Sequence, residues 1–285
     1  MFALLFAGAT ALLPGSAVVF GPGTGEMRLV VSKLVARSGV DTTLIANVQQ
    51  VESYEKLMYG DAKLTDGAAK IVAVNSEISA ALAQAQALCI VCDEGSLPES
   101  PMMSALEAAP DLQKIVLLSR MGVSKATAGF MGLGKGEVEM QECEARLRAA
   151  AGSRGLDLSV VRVGSLKGGG PGAMASADSE EIGLSQNYYD TILELETALV
   201  TQAYDKYSLG CSLKAGDTIE AQNTFSRLAN KGSFEPRPDE TSRVVAGGAV
   251  VATLAHPKPV EFTLSATKGT AAPTADEWQS MLEGL

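Results

Sequence analysis

Short continuous apolar runs alternate with stretches in which apolar residues recur every three or four positions along most of the chain. That is the pattern of buried strands separated by amphipathic helices. The first unit is the clearest. Ala17, Val18, Val19 and Phe20 form an apolar run, a loop follows with glycine at Gly21, Gly23 and Gly25, and apolar residues return at Met27, Val30, Val31, Leu34 and Val35. The order is strand, glycine turn, helix. Glycines let the main chain turn sharply and bring its N–H groups close to a ligand. The helix that follows offers unpaired amides and the positive end of its dipole to a phosphate. The unit points to a nucleotide.

The same reading predicts strands at Thr42–Ala46, Ala69–Val74, Leu88–Cys92, Lys114–Ser119 and Leu158–Val163, with helices around Val51–Met58, Ile78–Ala87, Met102–Ala109 and Glu137–Ala151 between them. Ser100 followed by Pro101 reads as N-cap and first helical residue. The sixth strand runs into Gly164-Ser165-Leu166-Lys167-Gly168-Gly169-Gly170, and a glycine run at the carboxyl end of a strand is where open α/β sheets hold ligands. Residues 187–216 are aromatic and acidic and are predicted part-helical, with Tyr188, Tyr189, Tyr204 and Tyr207 suited to a contact surface or a core edge. A small-residue helix over Thr241–Leu254, a last strand over Val260–Ser265 and a capping box at Thr274–Glu277 complete the chain. Continuous apolar strands spaced by helices imply a parallel sheet covered on both faces. The predicted fold is α/β, a Rossmann-like doubly wound sheet with a C-terminal elaboration. It forms a single domain over residues 17–285 with an insertion near 180–240, preceded by an apolar segment over 1–16.

Composition narrows the function. A net charge of -10 without a basic cluster argues against nucleic acid, which needs Lys or Arg gathered on one face. Cys89 and Cys92 form a CxxC, but on a strand positions three apart face opposite ways, so both, with Cys143 and Cys211, read as small buried hydrophobes. His256 is the only histidine, so no metal site is expected and a His-activated nucleophile would depend on that residue. Residues Phe2–Leu13 are apolar and uncharged, too short to span a bilayer at about 20 residues. They resemble the apolar region of a leader ending at Gly15-Ser16-Ala17, or a segment that docks on a partner or makes peripheral membrane contact.

The glycine spacing departs from the dinucleotide fingerprints. Counted from Gly21, G-x-G-x-x-G reaches Gly23 and then Glu26, and G-x-x-G-x-x-G reaches Thr24 and Met27. Glu26 also brings a carboxylate toward the place of a pyrophosphate. After the second strand, where an acid would hold the ribose of NAD or an Arg the phosphate of NADP, stand Ala46, Asn47 and Val48. Two readings stay open: the turn holds a dinucleotide, or it is kept for folding after the cofactor was lost.

VVFGPGTGEMRLVVSKL, IVLLSRMGV, LSVVRVGSLKGGGPG and TSRVVAGGAVVATLAHP with PTADEWQSML together resemble the atypical short-chain dehydrogenases/reductases, in particular plastid-type members, across nearly the whole chain. The YYDTILEL and LKAGD pieces are similar to an insertion in algal and plant plastid members. The resemblance implies NADP or NAD as cofactor, with Gly21, Gly23, Thr24, Gly25, Met27, Asn47, Cys92, Asp93, Ser119, Gly164 and Ser165 as candidate contacts. It also implies a plastid location with thylakoid association. Such enzymes use a tyrosine and, four residues on, a lysine on the helix after the fifth strand. Here that helix reads GEVEMQECEARLR and has neither. Ser119 matches the family serine, and Tyr59 to Lys63 repeats the spacing at an unrelated place.

Two expectations follow. In the first, the protein is a non-catalytic or weakly catalytic accessory or assembly subunit of a larger complex, which the resemblance places among thylakoid photosynthetic ones. The pattern is similar to relatives that help assemble photosystems or serve respiratory complex I. In the second, it is an NAD(P)H-dependent reductase with another proton donor, Tyr188, Tyr189 or Lys167.

Overall fold

The computed structural model describes residues 13–23, 25–47, 50–60, 67–73, 77–127, 135–169, 183–185, 204–218 and 236–285. Its main sheet contains β1 (Ser16–Phe20), β2 (Asp41–Ala46), β3 (Lys70–Ala73), β4 (Ala87–Val91), β5 (Lys114–Arg120), β6 (Asp157–Val163), β8 (Gly210–Ala215) and β10 (Glu261–Thr267). The spatial order is β3-β2-β1-β4-β5-β6-β10-β8, parallel throughout except for β8, which runs antiparallel to β10 at the edge. A separate two-stranded parallel pair joins β7 (Ser165–Lys167) to β9 (Glu240–Ser242). The helices are α1 (Glu26–Arg37), α2 (Val51–Tyr59), α3 (Glu77–Ala83), α4 (Glu99–Glu107), α5 (Lys135–Arg154), α6 (Arg243–Ala255) and α7 (Ala275–Glu283). The predicted doubly wound sheet is therefore present, and the order β3-β2-β1-β4-β5-β6 is that of a dinucleotide-binding fold.

Alternation along the strands divides the core into two layers. Val19, Cys89, Val116 and Val161 pack on the side of α1, α6 and α7, whereas Val18, Leu88, Ile90, Ile115 and Leu117 pack on the side of α4 and α5. Cys89 and Cys92 fall in different layers, as their spacing on a strand requires. The small residues of α6 allow a close approach to α1, since a Cβ on Gly247 would lie 2.6 Å from Leu34 Cδ1.

The structure corrects two local expectations. α4 starts at Glu99 with Pro98 as its N-cap, so Ser100 and Pro101 lie within the first turn; Pro101 is tolerated there because first-turn N–H groups have no helical acceptor. In the segment read as part-helical, residues 204–207 are helical, but residues 210–215 form the edge strand β8, in register with β10 from Phe262↔Ala215 to Thr267↔Gly210. Ahead of β1, Leu13 packs against the core and the Gly15 N–H donates to Gln86 Oε1 at 2.7 Å. The leader-like residues 1–12 lie outside the described residues, as do Tyr188 and Tyr189. No described helix is long and apolar enough to cross a membrane.

The capping box is formed: Thr274 Oγ1 accepts from the Glu277 N–H, and the Glu277 carboxylate accepts the Thr274 N–H at 2.7 Å. This fixes the start of a short helix that buries Trp278 and Leu282. Thr274→Ala is expected to lower stability by about 1 kcal/mol, read as a shift of the urea midpoint with unchanged slope.

Candidate cofactor site

The carboxyl ends of β4, β5 and β6, with the start of α1, open on a cavity of about 420 Å³. Through Glu26, Asp93 and Glu94 it borders the point where the strand order reverses between β1 and β4, the place at which open α/β sheets bind ligands. The cavity brings together Asp93, Gly164 and Ser165 of the sequence-predicted set and adds Glu94, Arg120 and Arg243. Glu26, at the first position of α1, also faces it.

The glycine turn sits beside this cavity and is closely fitted. A Cβ on Gly21 would fall 1.9 Å from the Val91 carbonyl oxygen, so only glycine lets β1 leave the sheet here against β4. Gly23 has φ +76, a left-handed conformation that favours glycine. From beneath, the buried Arg28 guanidinium donates to the Gly23 carbonyl at 2.6 Å and the Gly21 carbonyl at 3.3 Å, and reaches the Tyr54 hydroxyl at 3.3 Å. From above, Glu94 covers the turn: a Cβ on Gly23 would meet Glu94 Oε2 at 2.0 Å, and one on Gly25 would meet its carboxyl carbon and Oε1 at 2.8 Å. Thr24 lies outside the described residues.

Four carboxylates and two guanidinium groups line the cavity: Glu26, Asp93, Glu94 and Asp239 against Arg120 and Arg243. Glu26, the residue expected to repel a pyrophosphate, pairs with Arg243 at 3.4 Å, and Arg243 also donates to the Gly168 carbonyl at 2.8 Å. Burial, and then the charge of Glu94, push the Asp93 carboxyl above its ordinary value. Gly164 is tied to β9: its N–H donates to Thr241 Oγ1 at 3.0 Å, and a Cβ there would fall 2.1 Å from the Asp239 carbonyl oxygen.

Several predicted contacts have side chains that face elsewhere. Met27 is fully buried in the core beneath α1. Cys92 is buried and hydrogen-bonds to Cys143 of α5; that bond and then burial push the Cys92 thiol up, which makes it the donor of the pair. Ser119 is fully buried and donates to Glu144 Oε1 at 2.6 Å, so its hydroxyl is committed to an internal network with Arg162. Asn47 is exposed at the end of β2, and its carbonyl accepts the Gln50 N–H. Lys167 is exposed on β7, one residue past the cavity-lining Leu166. Tyr59, of the coincidental Tyr-x-x-x-Lys, accepts the Ala69 N–H far from the cavity. Residues missed from the sequence are Arg28, Glu94, Arg120 and Arg243. Of these, Arg28 carried a visible signal, a charged residue in the first turn of a helix that the apolar pattern buries.

A nicotinamide dinucleotide in the ordinary pose would lay its pyrophosphate over the glycine turn at the start of α1. That space holds the Glu94 carboxylate, and the ribose edge offers Asn47 in place of an acid or an arginine. The residues present do not fit the cofactor in that pose.

Neither a protein-family model nor a curated protein matches the chain. Solved structures do. An NAD-dependent epimerase/dehydratase assignment from Bacillus halodurans superposes with a TM-score of 0.55 at 14% identity, covering 93% of this chain and 100% of that one. A reductase engineered to attenuate substrate inhibition in asymmetric catalysis gives 0.51 at 13% identity, covering 93% and 82%. A short-chain dehydrogenase/reductase from Veillonella parvula DSM 2008 gives 0.50 at 12% identity, covering 90% and 98%. The fold is thus a Rossmann-like α/β fold, similar in architecture to these epimerase/dehydratase and short-chain dehydrogenase/reductase structures.

Proposed function

We propose that this protein is a Rossmann-fold body without the proton relay of its fold class, working as an accessory or assembly subunit of a larger complex. The observation that supports this is the fate of Ser119. Its hydroxyl is buried against Glu144, and between Ser119 and Gly164 the sequence holds no tyrosine and only Lys125 and Lys135. Lys135 begins α5 and pairs with Glu139 at 3.7 Å on the exposed face. Without a hydroxyl and an ammonium group placed together, nothing on this helix delivers a proton to a reacting carbonyl. A plastid setting at the thylakoid is part of the proposal and rests on the sequence resemblance alone.

The second reading is an NAD(P)H-dependent reductase with a different donor. It is supported by the likeness of the fold to reductases and a dehydrogenase, and by a ligand-sized cavity with Arg120 and Arg243 in its wall. Lys167, beside that cavity, is the donor candidate within the described residues.

One assay separates them. Purified protein is offered NADPH with a panel of small carbonyls and quinones, and the native extract is sized in parallel. The accessory-subunit reading expects no NADPH oxidation above background and a native mass well above that of one chain. Turnover that disappears in Lys167→Ala or Tyr189→Phe replaces it with the reductase, and a lone native monomer overturns it.

A further inference from the structure

We infer that Glu94 is a built-in anion: its carboxylate stands over the glycine turn in the place of a ligand phosphate and keeps dinucleotides out of the cradle. The turn offers what a phosphate needs, glycines at Gly23 and Gly25 that leave the main chain uncovered and the positive end of α1 immediately after them. The atoms found over those glycines are the carboxyl group of Glu94, close enough that even a methyl group on Gly23 or Gly25 would collide with it. A negative side chain seated there gains from the helix dipole and repels a second anion at the same spot.

The surroundings add to the exclusion. Glu26 and Asp93 face the same cavity, and the cation nearest to Glu26, Arg243, is engaged by it and by the Gly168 carbonyl. The turn itself is shaped from the opposite side by Arg28, so its form does not depend on what lies above it. Glu94 is exposed and lies in the loop after β4, outside the strands and helices of the fold. The carboxylate over the glycines is therefore the main obstacle, and one substitution removes it.

This inference concerns binding: NADPH turnover would overturn both it and the accessory-subunit reading, whereas a lone native monomer overturns only that reading and the titration below overturns only this inference. The test is a titration of the full chain with NADPH, with adenosine 5′-diphosphate and with adenosine, by calorimetry and by NADPH fluorescence, for wild type, Glu94→Gln, Glu94→Ala and Asp111→Asn. Asp111 is an exposed acid outside the cavity and controls for the change in net charge. Melting temperatures establish that each variant is folded.

Wild type and Asp111→Asn are expected to bind NADPH only in the millimolar range, while Glu94→Ala tightens by about tenfold or more. Glu94→Gln, which keeps the bulk and loses the charge, falls between them. Adenosine 5′-diphosphate, which carries the pyrophosphate without the nicotinamide, gains by the same factor as NADPH, and adenosine does not gain. Three results overturn the inference: wild type binding NADPH below about 10 µM with Glu94→Ala unchanged, equal gains in Asp111→Asn, or no binding by any variant. In the first the carboxylate does not obstruct the turn, in the second the effect is bulk charge, and in the third something other than Glu94 closes the cradle.

Discussion

Arg162→Met is expected to lower the unfolding free energy by about 3–5 kcal/mol at neutral pH. Arg162 is 1% exposed on β6, in the middle of the sheet. Its guanidinium meets Glu144 at 2.6 Å, Glu261 at 2.7 Å and Asp217 at 3.7 Å. Through these partners it joins α5, β10 and the segment after β8, and Asp217 in turn accepts the N–H groups of Gly122 and Ser124, each at 2.7 Å. A methionine fills the volume but takes away the guanidinium beside Asp217 and leaves Glu144 and Glu261 to the partly exposed Arg148, which costs far more than the net worth of the intact network.

The pH dependence has a definite sign. Burial works to raise the carboxyls of Asp217 and Glu261, but the N–H groups and Arg162 at the first, and Arg162 with Arg148 at the second, more than offset it, so both lie below their ordinary values. Folded-state values lowered in this way contribute stability that is complete above the unfolded carboxyl range of about 4 and is lost as pH falls through the lower folded values. The gap between wild type and Arg162→Met should therefore be widest at neutral pH and narrow below about pH 4, as the carboxylates that Arg162 serves take up protons. Urea midpoints at a series of pH values measure this. A variant within about 1 kcal/mol of wild type at pH 7, or a gap that persists in acid, would assign Arg162 to packing alone.

Gly21→Ala should be nearly as damaging, by about 3 kcal/mol or to the point that no folded protein accumulates. The obstacle is main chain: the Val91 carbonyl oxygen, 1.9 Å from the new methyl carbon, belongs to the neighbouring strand and cannot rotate away. Relieving the clash means parting β1 from β4 beside the cavity. Gly95→Ala, a few residues past β4 and with open space around it, is the matched control and should stay within about 0.5 kcal/mol. Soluble yield and midpoint, compared for the two, check the expectation.

These two positions also mark how far sequence alone could go. The strand–turn–helix unit at Gly21 was legible because three glycines between an apolar run and a helical repeat have few other uses. The parallel strands were legible because each is a continuous apolar run. Arg162 interrupts such a run in LSVVRV, and that interruption is the signal of a buried network, but its partners Glu144, Asp217 and Glu261 come from three separate elements and only the fold assembles them. Strand β8 went unseen because an edge strand with half-exposed residues lacks both the continuous and the alternating pattern. The Cys92–Cys143 contact and the seat of Glu94 over Gly23 are long-range facts of the same kind. Ser119 shows the opposite case, in which a residue matched by position in sequence is spent on the interior.

Arg28 carries one more consequence. Because its guanidinium grips the carbonyls of Gly21 and Gly23 from within the protein, the loop has its own internal template and needs no guest molecule to mould it. The apo chain is therefore expected to hold the turn in this shape, with the Gly21 and Gly23 carbonyls already anchored before any ligand arrives.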